Sequence, residues 1–414
     1  MSQSADSNHH FDITIIGGGM VGISLALLLA KQKRWKVLVL ESRTVKSEER
    51  PEYNAQFDAR STALSWTSRC IFQKMGIWHK IEQQAQAITS IHVSDRGHFG
   101  MTRLEAKEAD VDALGYVVEN SWLGAVLMQQ VAQTDICMKG DTTIRAINPK
   151  SQSVQLEIDV DGQPHTINSQ LLVVADGAKS ACAKMLGIHQ HSKAYGHSAI
   201  IANISLGQSH NKVAYERFTD QGPMALLPLP DFNNRHRCSL VWTQASEQAE
   251  TLMSADDSVF LETLQARFGD RLGVFKQVGE KVSYPLVLTT SEEQVRRRLV
   301  VVGNAAHSLH PVAGQGFNLS LRDINCLAQC LTDQLQKTDV GELEPLLSYQ
   351  NQRDKDQSNT LMFTDNLSKL FGLSSPAIAL GRNSGLLMMD LVPTLRKQFA
   401  HFGMGTGQSG VDHG

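Results

Sequence analysis

The feature that most constrains this chain is a glycine turn near its start. Gly17, Gly19 and Gly22 are spaced G-x-G-x-x-G between the β-rich run FDITII and the apolar run ISLALLLAKQ. That order reads as strand, turn, helix. KVLVLE, Lys36 to Glu41, then reads as a second strand, apolar as a buried parallel strand should be. The chain therefore opens with a βαβ unit. Its first glycine makes a tight turn, its second lets backbone approach a pyrophosphate, and its third lets helix and strand pack closely. The helix N-terminus adds N–H donors and a favourable dipole. Glu41 follows Gly22 by 19 residues, at the end of the second strand. A carboxylate there suits ribose hydroxyls and disfavours a 2′-phosphate. The motif indicates a dinucleotide, FAD or NAD, and does not choose between them.

The same stretch tests a membrane reading. Ile13 to Ala30 is 18 residues without a charge, near the length of a span. Three consecutive glycines inside it suit a turn, so no transmembrane helix is expected. The opening MSQSADSNHH does not resemble a signal peptide. Six cysteines, none in a CxxC, point to a reducing compartment and hence the cytoplasm. Cys326 and Cys330 share a helix face by spacing and read as small core residues. With 39 basic and 42 acidic residues the net charge is −3, so a broad basic field for nucleic acid is absent.

At 414 residues the chain exceeds one ordinary core. Helical spacing covers Ala63 to Gln84, and a helix starts near Ser121. A hairpin turn is expected at Asp161-Gly162, leading to the strand Leu171 to Ala175. Between about Ser192 and Pro285 the texture changes to alternating runs such as KVAYERF and CSLVWTQ, with a helix at Ser258 to Phe268. Strand, turn and helix return at RRRLVVVGNAAHSLHPVAGQGFN, where Arg296 to Arg298 reads as a solvated strand start. Helices are expected at about 344–370 and 376–400. The fold class is α/β: a Rossmann-like domain with a parallel sheet, interrupted by an antiparallel-sheet substrate domain, plus C-terminal helices. Residues 10–90, 113–190 and 286–345 are assigned to the first domain. Residues 91–112 and 191–285 go to the second, 346–402 form a helical region, and 403–414 a flexible tail.

Two further places are built to meet the same cofactor. Asp176 and Gly177 end one buried strand, and Gly303 and Asn304 end another; ligands bind outside such strand ends. Gly314 and Gly316 precede an apolar helix whose dipole favours a reduced, anionic flavin. Three separated contacts suit a long cofactor such as FAD.

These residues carry a resemblance. GGGMVG at 17–22, Glu41, FDARSTAL at 57–64, DGAKS at 176–180 and GNAAHSLHPVAGQGFNLSLRD at 303–323 resemble the flavin aromatic hydroxylases typified by p-hydroxybenzoate hydroxylase. HPVAGQGFN resembles the signature of the ubiquinone-biosynthesis branch. The resemblance implies an FAD-dependent monooxygenase using NADPH or NADH and O2 on a polyprenyl phenol, without a metal. It implies that Gly17, Gly19, Gly22 and Glu41 hold the adenosine diphosphate half, with Arg60 near the pyrophosphate and ribityl chain. Asp176 and Gly177 serve FAD and NAD(P)H, and Gly303 and Asn304 the ribityl region. Pro311, Gly314, Gly316 and Asn318 surround the isoalloxazine. Two departures stand out. Asn304 replaces a frequent Asp, and Ala183 replaces an Arg, which weakens the nicotinamide contact more than the FAD contact.

For phenol activation the candidates are His307, His310, Tyr195, His197, Tyr215 and Arg217. In YERF, Tyr215 and Arg217 alternate against Glu216 and Phe218, so one pair faces a pocket; Tyr215 and Arg217 are taken as that pair. The late stretch SPAIALGRNSGLLMMDLVPTLRKQFAHF packs on the cofactor domain or meets a protein or membrane. Peripheral attachment at the inner face of the membrane and contact with other ubiquinone-biosynthesis proteins fit a lipid substrate. Competing readings are hydroxylation of another ring position, a flavin-dependent reductase, and a flavin-binding assembly factor.

Overall fold

The computed structural model describes residues 9–45, 56, 57, 59–97, 100–309, 315–333, 339–371, 388 and 390–406. The opening folds as its pattern dictates: strand His9–Ile16, glycine turn, helix Met20–Ala30, strand Val37–Leu40. The helix is apolar all round and largely buried, lying between the parallel sheet and helix Gln315–Asp333. Among the described residues no helix is long and apolar enough to cross a membrane.

Five strands form the parallel layer, in the order Leu299–Val301, Gln163–Val174, His9–Ile16, Val37–Leu40, Cys137–Lys139. Strands Val154–Val160 and Thr142–Pro149 extend it antiparallel. The expected hairpin turn forms at Asp161 and Gly162, with φ of 50° and 77°. Positive φ at both central residues matches the right-handed twist of the flanking strands.

The second layer is a nine-stranded sheet. Its long strands are Gln190–Ser205, Arg235–Ala245, Gly222–Phe232 and Val213–Thr219, joined by Ser90–Asp95 and Met101–Glu105 from the earlier part of the chain. Strand Val282–Ser291 closes the other side and pairs with His307–Ser308. One face of this sheet packs Trp242, Leu240, Met224 and Leu226 against Phe260, Leu264 and Phe268 of helix Asp257–Phe268. The opposite face is left for the cavity described below.

The fold class matches the expectation; several local features differ. A strand, Ser61–Ser65, precedes helix Trp66–Met75, because Ser65 caps the helix by accepting from the Ser68 N–H. Helix Ser246–Ser254 is an addition to the expected elements, since Ala245 before it offers no capping side chain to signal it. The C-terminal helices are Leu343–Phe371 and Pro393–Met404; most of the segment between them lies outside the described residues. Arg298 is not solvated. It is 1% exposed, pairs with Asp339 at 2.5 Å, and donates to the Ser151 and Gln170 carbonyls. Its φ of 67° turns the chain so that the guanidinium points inward. Cys326 and Cys330 lie in the main core.

A buried ion pair links the layers. Arg237 of the large sheet meets Glu119, which ends strand Gly115–Glu119, at 2.5 Å, with side chains 2% and 1% exposed. Arg237 also donates to the Pro230 and Gln56 carbonyls. These extra donations offset part of the desolvation that such a pair suffers.

Candidate active site

The glycine turn has a specific geometry. Gly17 has φ of 111°, and a Cβ there would lie 2.3 Å from the Ala175 carbonyl oxygen. A Cβ on Gly22 would lie 2.0 Å from the Gly17 carbonyl oxygen. Neither position accepts a side chain. Gly19 differs: a Cβ there would meet nothing within 4 Å. It precedes the first turn of helix Met20–Ala30, whose N-terminus has no side-chain cap. Open space beside uncapped N–H donors is what a pyrophosphate needs.

Glu41 is drawn into this turn. Its carboxylate accepts from the Gly18 N–H at 2.7 Å and the Arg43 N–H at 3.0 Å. That pins it at the strand end, as ribose binding requires. The second glycine region lies alongside, since the carbonyl closest to Gly17 belongs to Ala175. Asp176 accepts from the Cys182 N–H through Oδ2, while buried Oδ1 has no partner among the described residues. Gly177, φ 97°, opens on free space. Gly303 packs against Val21 of the first helix, 3.2 Å from where its Cβ would stand. The ends of three parallel strands thus converge on one place. An open Gly19, an orphaned Asp176 oxygen and an exposed Asn304 fit a dinucleotide cofactor.

Next to this turn lies a cavity of about 1330 Å³. Arg60, Asn304, Gly316 and Asn318 border it from the cofactor side. Arg60 donates to the Tyr284 hydroxyl at 2.7 Å, so the two layers touch at its rim. Asn318 is 2% exposed and its amide is largely engaged: it accepts from the Ser65 N–H and Ser68 hydroxyl and donates to the Ala63 carbonyl. It fixes the strand and helix start at 61–68. His310, Pro311 and Gly314 lie outside the described residues.

The expected catalytic side chains are placed differently. Tyr215 borders the cavity, but its ring packs on Phe268 and His92, with centroids 5.6 and 5.8 Å away. Arg217 donates to the Phe268 carbonyl. Both point at the helix-covered face of the sheet. The strand's period of two puts Ala214, Glu216 and Phe218 on the cavity side. The alternation expected from the sequence holds, and the pair that faces the pocket is the other one. Glu216 has no hydrogen-bond or ion-pair partner among the described residues, and burial pushes its carboxyl up to about 7.

His307 is 1% exposed and absent from the lining. Its Nε2 is 2.6 Å from Asp323 Oδ2, and Arg353 Nε donates to Asp323 Oδ1 at 2.7 Å. Burial alone pushes the Asp323 carboxyl up; His307 and Arg353 more than reverse this and hold it below its usual range. This network ties strand His307–Ser308 to the two helices that carry Asp323 and Arg353. Tyr195 donates to Asp365, and His197 Nδ1 lies 2.9 Å from the Tyr195 carbonyl; neither lines the cavity.

The far end of the cavity is closed by Phe363, Phe399 and Phe402 of the C-terminal helices. Phe363 and Phe402 rings are 4.7 Å apart. Arg396 holds the last helix in place through Glu108, donating at 2.7 and 2.8 Å.

Strand order, glycine turn and converging strand ends define a dinucleotide-binding protein of the Rossmann-like class. Residues 10–364 match the FAD binding domain family. The chain is 33% identical to ubiquinone hydroxylase UbiL of Rhodospirillum rubrum, over 97% of this chain and 91% of that one. It is 28% identical to the 3-demethoxyubiquinol 3-hydroxylase of Escherichia coli strain K12, over 96% of this chain and 100% of that one. Its fold resembles p-nitrophenol 4-monooxygenase PnpA from Pseudomonas putida, with a TM-score of 0.76, 17% identity, and coverage of 97% and 100%. The chain belongs to the FAD-dependent hydroxylases of ubiquinone biosynthesis.

Proposed function

We propose that the protein uses NAD(P)H and O2 to hydroxylate 2-polyprenyl-6-methoxyphenol to 2-polyprenyl-6-methoxy-1,4-benzoquinol. The observation that carries this reading is the shared cavity. It joins the FAD-motif residues Arg60, Asn304 and Gly316 to an apolar sheet face and an aromatic far end. A ring held near the cofactor with a long apolar tail running to Phe363, Phe399 and Phe402 fits that shape. Segments ITSIHVSDRGHFG, YERFTDQGPMALLP and GRNSGLLMMDL resemble 2-octaprenyl-6-methoxyphenol hydroxylase. The Escherichia coli relative carries the name of a 3-hydroxylase, which favours a second reading, hydroxylation at another ring position.

In this reading FAD is held by segments 10–90, 113–190 and 286–345, and substrate by 91–112 and 191–285. Gly17, Gly19, Gly22 and Glu41 hold the adenosine diphosphate. Asp176, Gly177, Gly303 and Asn304 hold the middle of the cofactor, and Gly316 lies by its ring. FAD, once reduced by NAD(P)H, supplies oxygen activation. The protein orients the ring and excludes water, which the apolar lining serves. Exposed Met362 on helix Leu343–Phe371, and exposed Met388 and Leu391 just ahead of helix Pro393–Met404, at 60%, 53% and 68%, provide a peripheral membrane contact through which a lipid tail enters.

The test is product analysis with a short-prenyl 6-methoxyphenol, NADPH, FAD and isotope-labelled O2. One labelled oxygen para to the original hydroxyl is expected. Label at another carbon selects the second reading, and unlabelled product indicates a reductase. Phe402→Ala is expected to raise KM for a long-prenyl substrate on the order of tenfold, about 1.4 kcal/mol of lost apolar contact. It leaves a one-isoprene substrate nearly unchanged; steady-state kinetics on the two chain lengths checks this.

A further inference from the structure

The sheet face that floors the cavity is apolar at its centre with one exception. Across the strands, in register, run Val93, Glu216, Ala225, Val241 and Ile201. All five border the cavity. Glu216 is the one carboxylate among the described residues that line it. Strand alternation fixes its direction, because Tyr215 and Arg217 on either side are held on the opposite face by Phe268. The fully buried Glu119 and Asp323 carboxylates of this protein are paired with cations; Glu216 is part-buried and faces the cavity. It has no such partner among the described residues. A part-buried acid on an apolar floor, with no protein partner for its carboxylate, is free to meet a ligand in the cavity.

On the reading that this cavity holds a phenol, we propose that Glu216 is the catalytic base that accepts the proton of the ring hydroxyl. The O–H bond breaks, its electron pair stays on the ring oxygen, and the proton passes to a Glu216 oxygen. Electron density on the ring rises with that loss, and the ring carbon gains one atom of O2 as a hydroxyl group; the other atom leaves as water, with two electrons from NAD(P)H and protons from solvent. The dienone so formed loses its carbon-bound hydrogen as a proton to water. Glu216 returns the first proton to the ring oxygen, and aromaticity is restored. The environment suits a base, since burial holds the carboxyl at about 7, and proton transfer is most efficient when the base titrates near the working pH. At its own level the neighbouring strands offer only Val93 and Ala225. The other titratable groups bordering the cavity are Arg60, Lys179, Lys184, His189, Tyr215 and Tyr284.

The test compares FAD-loaded wild type, Glu216→Gln, Glu216→Asp and His189→Gln on a short-prenyl 6-methoxyphenol with NADPH. Product rate, product per NADPH oxidised and the flavin spectrum are followed across neutral pH. Wild-type product rate is expected to rise with pH through about 7, as the base loses its proton. Glu216→Gln is expected to bind FAD with an unchanged spectrum and to lose on the order of 100-fold or more in product rate. It also loses the ionisation from the pH profile. Glu216→Asp keeps an ionisation and part of the rate. The assignment is overturned if Glu216→Gln keeps the wild-type rate and profile, or if the ionisation vanishes in His189→Gln and stays in Glu216→Gln. A wild-type protein that forms no hydroxylated product sinks the functional reading and this role together, a result distinct from an active wild type with an equally active Glu216→Gln.

Discussion

A Gly19→Val substitution is expected to leave the fold intact and to weaken FAD binding on the order of 100-fold. The backbone there, φ −71° and ψ 176°, is extended and open to any residue. The added Cβ meets no protein atom within 4 Å. Its branches would fill the space over the uncapped helix N-terminus. Hydrogen bonds to a charged group are worth about 1.5–3 kcal/mol each. Losing one or two of them accounts for a factor near 100. FAD titration by flavin fluorescence measures the affinity, and thermal unfolding without FAD measures the fold. Gly22→Ala is the contrast: its Cβ would stand 2.0 Å from the Gly17 carbonyl oxygen, so it damages stability itself. Wild-type FAD affinity in Gly19→Val would remove the pyrophosphate from this turn.

Asp323→Ala is expected to destabilise the protein by about 3–5 kcal/mol, the size found when one member of a buried charge pair is removed. Asp323 is fully buried and accepts from both His307 and Arg353. Without it, Asp356 is the one carboxylate paired with Arg353 among the described residues. The sign with pH follows from the depressed carboxyl. A group whose folded pKa lies below its unfolded value stabilises fully above the unfolded value, here the ordinary 3.8. That contribution is lost as pH falls through the folded pKa. Asp356, depressed against its burial by Arg322 and Arg353, adds in the same direction. Denaturant unfolding at neutral pH and below pH 4 is the check: the gap between wild type and variant should narrow in acid. A gap that stays constant with pH would mean the loss is packing alone.

Much of the fold was legible because its signals are local. The glycine spacing, the apolar strands and the Asp161-Gly162 turn each depend on neighbours in sequence. The site was legible only in part. Spacing showed that YERF alternates, but which pair faces inward depends on helix Asp257–Phe268 covering one side of the sheet. With Tyr215 and Arg217 read as the inward pair, Glu216 is not among the candidates that the sequence yields. His307 and Asp323 are 16 residues apart and Arg353 is 30 further on, beyond any local pattern. Arg298 was misjudged because its partners, Ser151, Gln170 and Asp339, come from two other segments.

The two large sheets trade the chain repeatedly. The path leaves the parallel layer after Val37–Leu40 for Ser90–Asp95, is back by Cys137–Lys139, leaves again at Gln190 and returns by Leu299. Neither sheet is a cassette that a single cut at each end would release. Recombination between relatives would therefore swap fragments that lack their pairing partners, and a new ring specificity cannot be imported as a block. It has to be written in place, residue by residue, on the inward-facing positions of a sheet whose backbone is already committed to its neighbour.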